Sequence, residues 1–231
     1  KNGLLDNTLI VVTSDNGMPF PRVKGQVYPF DNHLPLAIRW GKGIKNPGRV
    51  INDYFSFSDF APTFLEAAGL AEEENSMAPF SGKPWGAVFN DLPNPKPRKH
   101  MIIGKERHDV GRENDQGYPV RGILKGNYFY SQNFKPERWP AGNPETGYLN
   151  TDGSPTKTEI LNLKRTDLTS SYWGYAFGKR PHQELYDLEN DPQCLINLAY
   201  ESDYEALKNK LQNLLLSDLK KQGGPRALGQ G

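Results

Sequence analysis

Residues 7–24, NTLIVVTSDNGMPFPRVK, place a run that wants burial directly against a cluster that wants polar partners. Thr8-Leu9-Ile10-Val11-Val12-Thr13 is apolar and β-branched, the pattern of a strand buried on both faces. It stops at Ser14-Asp15-Asn16-Gly17. In open α/β sheets, ligands bind just beyond the carboxyl ends of the strands. Asp15 and Asn16 therefore stand where a carboxylate and an amide oxygen can share a hard cation such as Ca²⁺. Gly17 lets the backbone turn away, Pro19 and Pro21 stiffen the exit, and Arg22 and Lys24 return positive charge to the same edge. A metal beside a fixed cation suits an anionic substrate such as a sulfate or phosphate ester. Asp-Asn-Gly also makes turns for purely local reasons, and the residues alone leave both readings open.

The rest of the chain supplies a scaffold. Leu36 to Trp40 reads as a second short strand, with Pro35 confined to its start. His33, just before it, can face the site or sit idle in a loop. Asp59 is the expected N-cap of a helix that runs past Pro62 and stops at Gly69, with Phe60, Phe64, Leu65 and Ala68 as its packed face. Glu72-Glu73-Glu74 reads as a solvated face. Ser81-Gly82-Lys83 lacks the rest of a phosphate-binding loop, which excludes a nucleotide site of that type. Asn94-Pro95-Lys96-Pro97 reads as a linker, dividing the chain into residues 1–95 and 96–231.

Beyond it the pattern predicts four strands, at 100–104, 120–124, 128–132 and 184–188, the middle two joined by a hairpin at Lys125-Gly126-Asn127. Asp203 to Lys221 is an amphipathic helix whose stripe is Leu207, Leu211, Leu214, Leu215 and Leu219. An antiparallel sheet with one helix against it is a complete small layer. Glu106-Arg107-His108-Asp109 with Arg112 is the densest polar group here. It can project over the site or form a salt-bridged surface loop.

Composition narrows the field. The formal net charge of +1 gives no general electrostatic case for nucleic acid or an anionic membrane. No apolar run approaches the roughly 20 residues of a membrane-spanning helix. One cysteine, Cys194, excludes an internal disulfide. Leu4 and Leu5 look like the tail of a packed helix, which makes the chain read as the C-terminal part of a larger protein.

Several of these stretches together resemble the type I sulfatases of the alkaline phosphatase superfamily. The resemblance rests on S-D-N-G at 14–17, Lys24-Gly25, Tyr28, Leu34-Pro35-Leu36 with Arg39-Trp40, and SFSDFAPTFLEAAGL at 56–70. It continues in Glu184-Leu185-Tyr186-Asp187-Leu188, Asp191-Pro192 and Asn197-Leu198-Ala199. The implied fold is the C-terminal part of an α/β alkaline-phosphatase-like sheet sandwich plus a small antiparallel sheet with one C-terminal helix. By position, Asp15 and Asn16 would bind the active-site calcium, Lys24 would act as the catalytic lysine on the sulfate, and Arg107 and His108 would contact substrate. The family's formylglycine nucleophile comes from C/S-x-P-S/A-R, a motif that this chain lacks; Cys194 lies in Gln-Cys-Leu-Ile-Asn. The resemblance therefore implies a partner, the nucleophile-bearing N-terminal half of the same enzyme. The implied substrate is a sulfated, glycosaminoglycan-derived saccharide, and the implied compartment is periplasmic, extracellular or lysosomal. Tyr118-Pro119-Val120-Arg121 and Asn133-Phe134 resemble the N-sulfoglucosamine sulfohydrolase type, whose sulfamidase carries Arg where this chain has Lys24. The alternatives are sulfamidase activity and a non-catalytic sulfated-sugar-binding fragment. A phosphatase or phosphodiesterase of the same superfamily would call for histidine-rich paired metal sites, and the chain has 4 histidines, none at ligand spacing to Asp15.

Overall fold

The computed structural model describes residues 2–70, 76–107 and 111–228. The run Glu72-Glu73-Glu74 and His108 lie outside them. In chain order the elements are β1 (Ile10–Thr13), α1 (Pro29–Asn32), β2 (Leu36–Arg39), α2 (Phe60–Ala67) and α3 (Gly86–Phe89). They continue with β3 (Met101–Lys105), β4 (Val120–Lys125), β5 (Tyr128–Asn133), α4 (Pro155–Thr166), α5 (Tyr172–Phe177), β6 (Gln183–Asp187) and α6 (Glu205–Lys221). The chain groups into two compact units. One comprises Lys1–Thr13 and Pro35–Lys99; the other comprises Ser14–Leu34 and His100–Gly231.

In the first unit, β1 pairs antiparallel with β2, from Ile10 opposite Arg39 to Thr13 opposite Leu36. Burial of β1 on both faces is not what forms. Val12 is 62% exposed, and Leu4 and Leu5 are exposed as well. A strand needs neighbours on both edges and cover on both faces to be buried throughout, and within its two-stranded sheet β1 has one neighbour.

The helix α2 also differs from expectation at its start and on its packed face. Asp59 holds the N-cap position of α2 as expected, but its side chain does not cap that helix; it bonds back to the Ser56 N–H, completing a capping box for the 3-10 turn Phe57–Asp59 that leads in. The end is as expected: Gly69 takes φ +74, and Leu70 N–H bonds to Leu65 O at 2.9 Å while Gly69 N–H bonds to Glu66 O at 3.0 Å. The buried positions are Asp59, Pro62 and Thr63, whereas Phe64 and Ala68 are exposed. The cause is Asp59. Its fully buried carboxylate accepts both Arg98 guanidinium nitrogens at 2.6 and 2.5 Å, Lys83 N–H at 2.8 Å, Ser56 N–H at 2.9 Å and Trp85 Nε1–H at 3.3 Å. Thr63 Oγ1 accepts Trp85 N–H at 3.2 Å. Satisfying those groups turns this face inward. Ser81-Gly82-Lys83 thus serves packing, since a Cβ on Gly82 would sit 1.9 Å from Ser58 O. Burial alone would raise the Asp59 carboxyl, but the bonds from Arg98, Ser56 and Lys83 outweigh it and hold it below the usual carboxylate range.

In the second unit the four expected strands form an antiparallel sheet in the order β3-β4-β5-β6. Lys125 pairs with Tyr128 across a two-residue loop in which Gly126 takes φ +57. On one face Ile123, Tyr130 and Leu185 pack with Leu211, Leu215 and Leu219 of α6. Each such leucine contributes about 1.5–3 kcal/mol on burial. The other face carries Phe129, Val120 and Tyr186 and is covered by Val27 and Tyr28 from the segment after β1. No helix among the described residues is long and apolar enough to cross a membrane.

Removing Arg98 would leave the Asp59 carboxylate buried without its cation, a change of about 3–5 kcal/mol. Arg98→Ala should lower stability by that amount in urea unfolding; a loss under 1 kcal/mol would mean that Asp59 does not organise the unit.

Candidate anion and metal site

The segment between β1 and β2 carries the sequence-predicted residues within the second unit, from Ser14 to Leu34. One carboxylate closes it. Asp31, in the first turn of α1, accepts Gly17 N–H on Oδ1 at 2.8 Å and Gly25 N–H on Oδ2 at 2.9 Å. The bonds fall immediately after Asn16 and immediately after Lys24, so a single side chain joins residues 17 and 25 on either side of the turn. Gly17 cannot carry a side chain here, since a Cβ would lie 2.3 Å from Phe30 O. Gly25 takes φ +76. The Gly25 carbonyl accepts a bond from Lys105 Nζ, which ties the turn to the end of β3.

Arg22 and Lys24 go opposite ways. The sequence reading put both cations at one edge, but Arg22 is turned into the unit. It adopts φ +70, stacks 4.1 Å over the Tyr28 ring, and donates to Tyr175 O at 3.0 Å and to Cys194 O. Lys24 points outward, about one third exposed, and its Nζ lies 2.9 Å from Asp152 Oδ2. The bond from Asp152, together with the fields of Asp152, Asp15 and Asp31, raises the Lys24 ammonium above its ordinary value, so it is a cation at any physiological pH.

Asp15 is exposed, and its Oδ1 accepts Asn16 Nδ2–H at 2.8 Å; Ser14 Oγ donates to Asn16 O at 2.6 Å. A carboxylate and an amide on adjacent residues are the right donor chemistry for a hard cation, which takes 6–8 oxygens. With the amide turned over, Asn16 would present its oxygen beside Asp15. Two side chains are still only part of such a shell, and the described residues contain no group of three or more His, Cys, Asp or Glu able to hold a metal.

The other predicted contacts are distributed. Arg107 pairs with Asp115, and its partner in the prediction, His108, lies outside the described residues. Glu106 is taken by Arg121 at 2.9 Å and by Arg226. Arg112 is buried, donating to Gln116 O at 2.9 Å and Trp139 O at 3.1 Å. His33 is exposed at the end of α1. Cys194 is fully buried, and burial pushes its thiol up to about 12, which suits packing rather than nucleophilic attack. The sequence reading missed Asp31, Asp152 and Lys105; only their place beside turns, with nothing periodic, could have singled them out.

Comparison with known proteins relates the chain to sulfatases. The sulfatase family model matches residues 1–70. An ulvan-active sulfatase of Formosa agariphila is 29% identical over 95% of this chain and 39% of its own length. The N-sulphoglucosamine sulphohydrolase of Homo sapiens is 27% identical over 92% of this chain and 41% of its own. The chain thus spans about two fifths of the curated relatives it matches. A solved protein in complex with its substrate D-glucosamine-2-N,6-O-disulfate shares the fold at a TM-score of 0.55 and 19% identity, over 94% of this chain and 35% of the other.

Burial, with the charges of Arg112 and Arg180 adding to it, pushes the Lys105 ammonium down to about 7. The unfolded chain holds that proton up to about pH 10.4. Between those values the unfolded state binds more protons, so stability rises with pH; below about 7 the full burial penalty remains. Relative to Lys105→Met, the native protein should gain up to about 1.4 kcal/mol per pH unit from pH 7 to 9. Urea midpoints at pH 6.5, 8 and 9 for the two proteins measure this, and a pH-independent difference would refute it.

Proposed function

We infer, from the sulfatase-family relationship of this chain, that it is the C-terminal portion of a sulfatase acting on sulfated carbohydrate. The observation that carries the reading is the outward, permanently charged Lys24 on the same clamped segment as Asp15 and Asn16. A sulfate group presents three equivalent oxygens, and a compact ammonium serves as a point charge for one of them without demanding a fixed plane. Fixed charge near the transferring group lowers the barrier most when it needs no reorganisation, and the Asp31 clamp supplies that rigidity. Asp15 and Asn16 would contribute two oxygens to a calcium ion whose other ligands lie in the N-terminal half. When bound, that ion would polarise sulfate oxygens as a Lewis acid. The nucleophile, a formylglycine, would come from the same half. Arg107 stands as the contact to the saccharide, its guanidinium suited to carboxylate or sulfate oxygens once released from Asp115; His108 is assigned to the same role.

Two features bear on the substrate. The human relative is by its description a sulphohydrolase of N-sulphoglucosamine, and the solved neighbour holds a glucosamine carrying both N- and O-sulfate. A sulfated amino sugar of glycosaminoglycan type is therefore the substrate class we assign, with ester or sulfamate cleavage as the branch to be measured.

The test is sulfate release from glucosamine N-sulfate and glucosamine 6-sulfate by the complete protein that carries this chain. Lys24→Ala should lower kcat/KM by about 10²–10³ fold, the scale for losing one charge-stabilising donor. Calcium chelation should abolish turnover and added Ca²⁺ restore it. Full activity in the Lys24→Ala protein, or faster cleavage of phosphate than of sulfate esters, would refute the assignment.

A further inference from the structure

We propose that Asp152 is the positioning residue of Lys24, holding its ammonium where the sulfate must bind; this rests on the reading of Lys24 as the sulfate contact. The ion pair joins residues 128 positions apart, with Nζ and Oδ2 at 2.9 Å. Exposed pairs of this kind usually contribute little, because two long side chains must be ordered for a screened attraction. Here the ordering is done by the backbone on both sides.

Asp152 ends a loop that is pinned at nearly every residue before it. Tyr148 is buried with φ +57, a left-handed conformation that a non-glycine residue keeps only where its surroundings hold it. Its ring stacks on Phe177 at 4.5 Å, and its N–H bonds to Asn143 O at 3.0 Å. Asn150 is 2% exposed, bonds through its N–H to Ala141 O at 3.1 Å, and, with its amide oxygen turned toward Arg112, accepts both guanidinium nitrogens at 2.7 Å. Lys157 Nζ then takes Tyr148 O at 3.0 Å and Thr151 O at 2.7 Å. The Lys24 side of the pair is built the same way, between Arg22 at φ +70 and Gly25 at φ +76.

Two strained, anchored turns thus meet at one ion pair. Asp152 is a one-point acceptor and leaves the other two ammonium protons of Lys24 free for sulfate oxygens. The charged groups that face Lys24 are Asp152, Asp15 and Asp31, and Asp152 is the one in hydrogen-bond contact. Removing it frees the lysine stem to swing and lowers the ammonium pKa.

The experiment is a cycle in the complete protein: wild type, Asp152→Asn, Lys24→Ala and the double variant, with Asp152→Glu as the conservative control. Kinetics use glucosamine 6-sulfate or N-sulfate, whichever is cleaved. Asp152→Asn should reduce kcat/KM by about 10–100 fold, the scale for a group that orients a site residue, mainly through kcat, with an unchanged melting temperature. Its alkaline limb should move to lower pH. The double variant should be no slower than Lys24→Ala, because Asp152 acts through Lys24. Asp152→Glu should recover part of the rate. Wild-type kinetics in Asp152→Asn, or a loss that multiplies with that of Lys24→Ala, overturns the positioning role while leaving Lys24 in place. Full activity in Lys24→Ala instead removes the reading on which the proposal stands.

Discussion

Glu184, on β6, is a carboxylate only 2% exposed, and the second unit is arranged to satisfy it. Tyr28 and Tyr186 donate their hydroxyls to Oε1 at 2.9 and 2.7 Å, and Asn133 Nδ2 donates to Oε2 at 2.9 Å. Asn133 in turn accepts the Tyr118 hydroxyl at 3.1 Å. The guanidinium groups of Arg22 and Arg180 lie over the Tyr28 ring at 4.1 and 5.9 Å. A buried carboxylate stripped of such partners is among the most destabilising things a core can contain. Satisfying Glu184 requires Tyr28, and Tyr28 belongs to the segment that leaves β1. That requirement explains why residues 14–34 pack with the distant four-stranded sheet although they connect two strands of the first unit. The stretch bearing Asp15, Asn16 and Lys24 is carried along with it.

Periodic features were legible in the sequence, and singular ones were not. The four strands and α6 were readable because alternation and a leucine stripe repeat the same message over many residues. The apolar run of β1 carried a strand signal that the structure bears out, and within this chain the strand has one sheet neighbour, with Val12 exposed. For α2 the apolar stripe lost to a polar constraint. Phe64 is exposed because Asp59 and Thr63 had to meet Lys83, Trp85 and Arg98, all of them distant in sequence. The site divides along the same line. Asp15, Asn16 and Lys24 stood out as a motif, whereas Asp31 and Asp152 became visible only once the chain had folded, because their roles lie in reaching residues 14 and 128 positions away.

The contrast between the cations shows why one of them is suited to binding an anion. Arg22 stays charged under burial because a guanidinium is weakly hydrated and too basic to lose its proton, so it can spend its charge inside, beside the tyrosines and Glu184. Lys105 shows what the same burial does to an ammonium, which falls to about 7 and becomes an uncertain charge near neutrality. A sulfate contact needs a charge that is both certain and unspent. Lys24 meets the first condition by staying in solvent among Asp15, Asp31 and Asp152, which raise its pKa. It meets the second because a single carboxylate oxygen occupies one of three ammonium protons. A lysine at 22 would tend to neutralise in the core, since burial already pushes the Lys105 ammonium down. The order Arg22-Val23-Lys24 thus places a cation suited to burial two residues before one left in solvent.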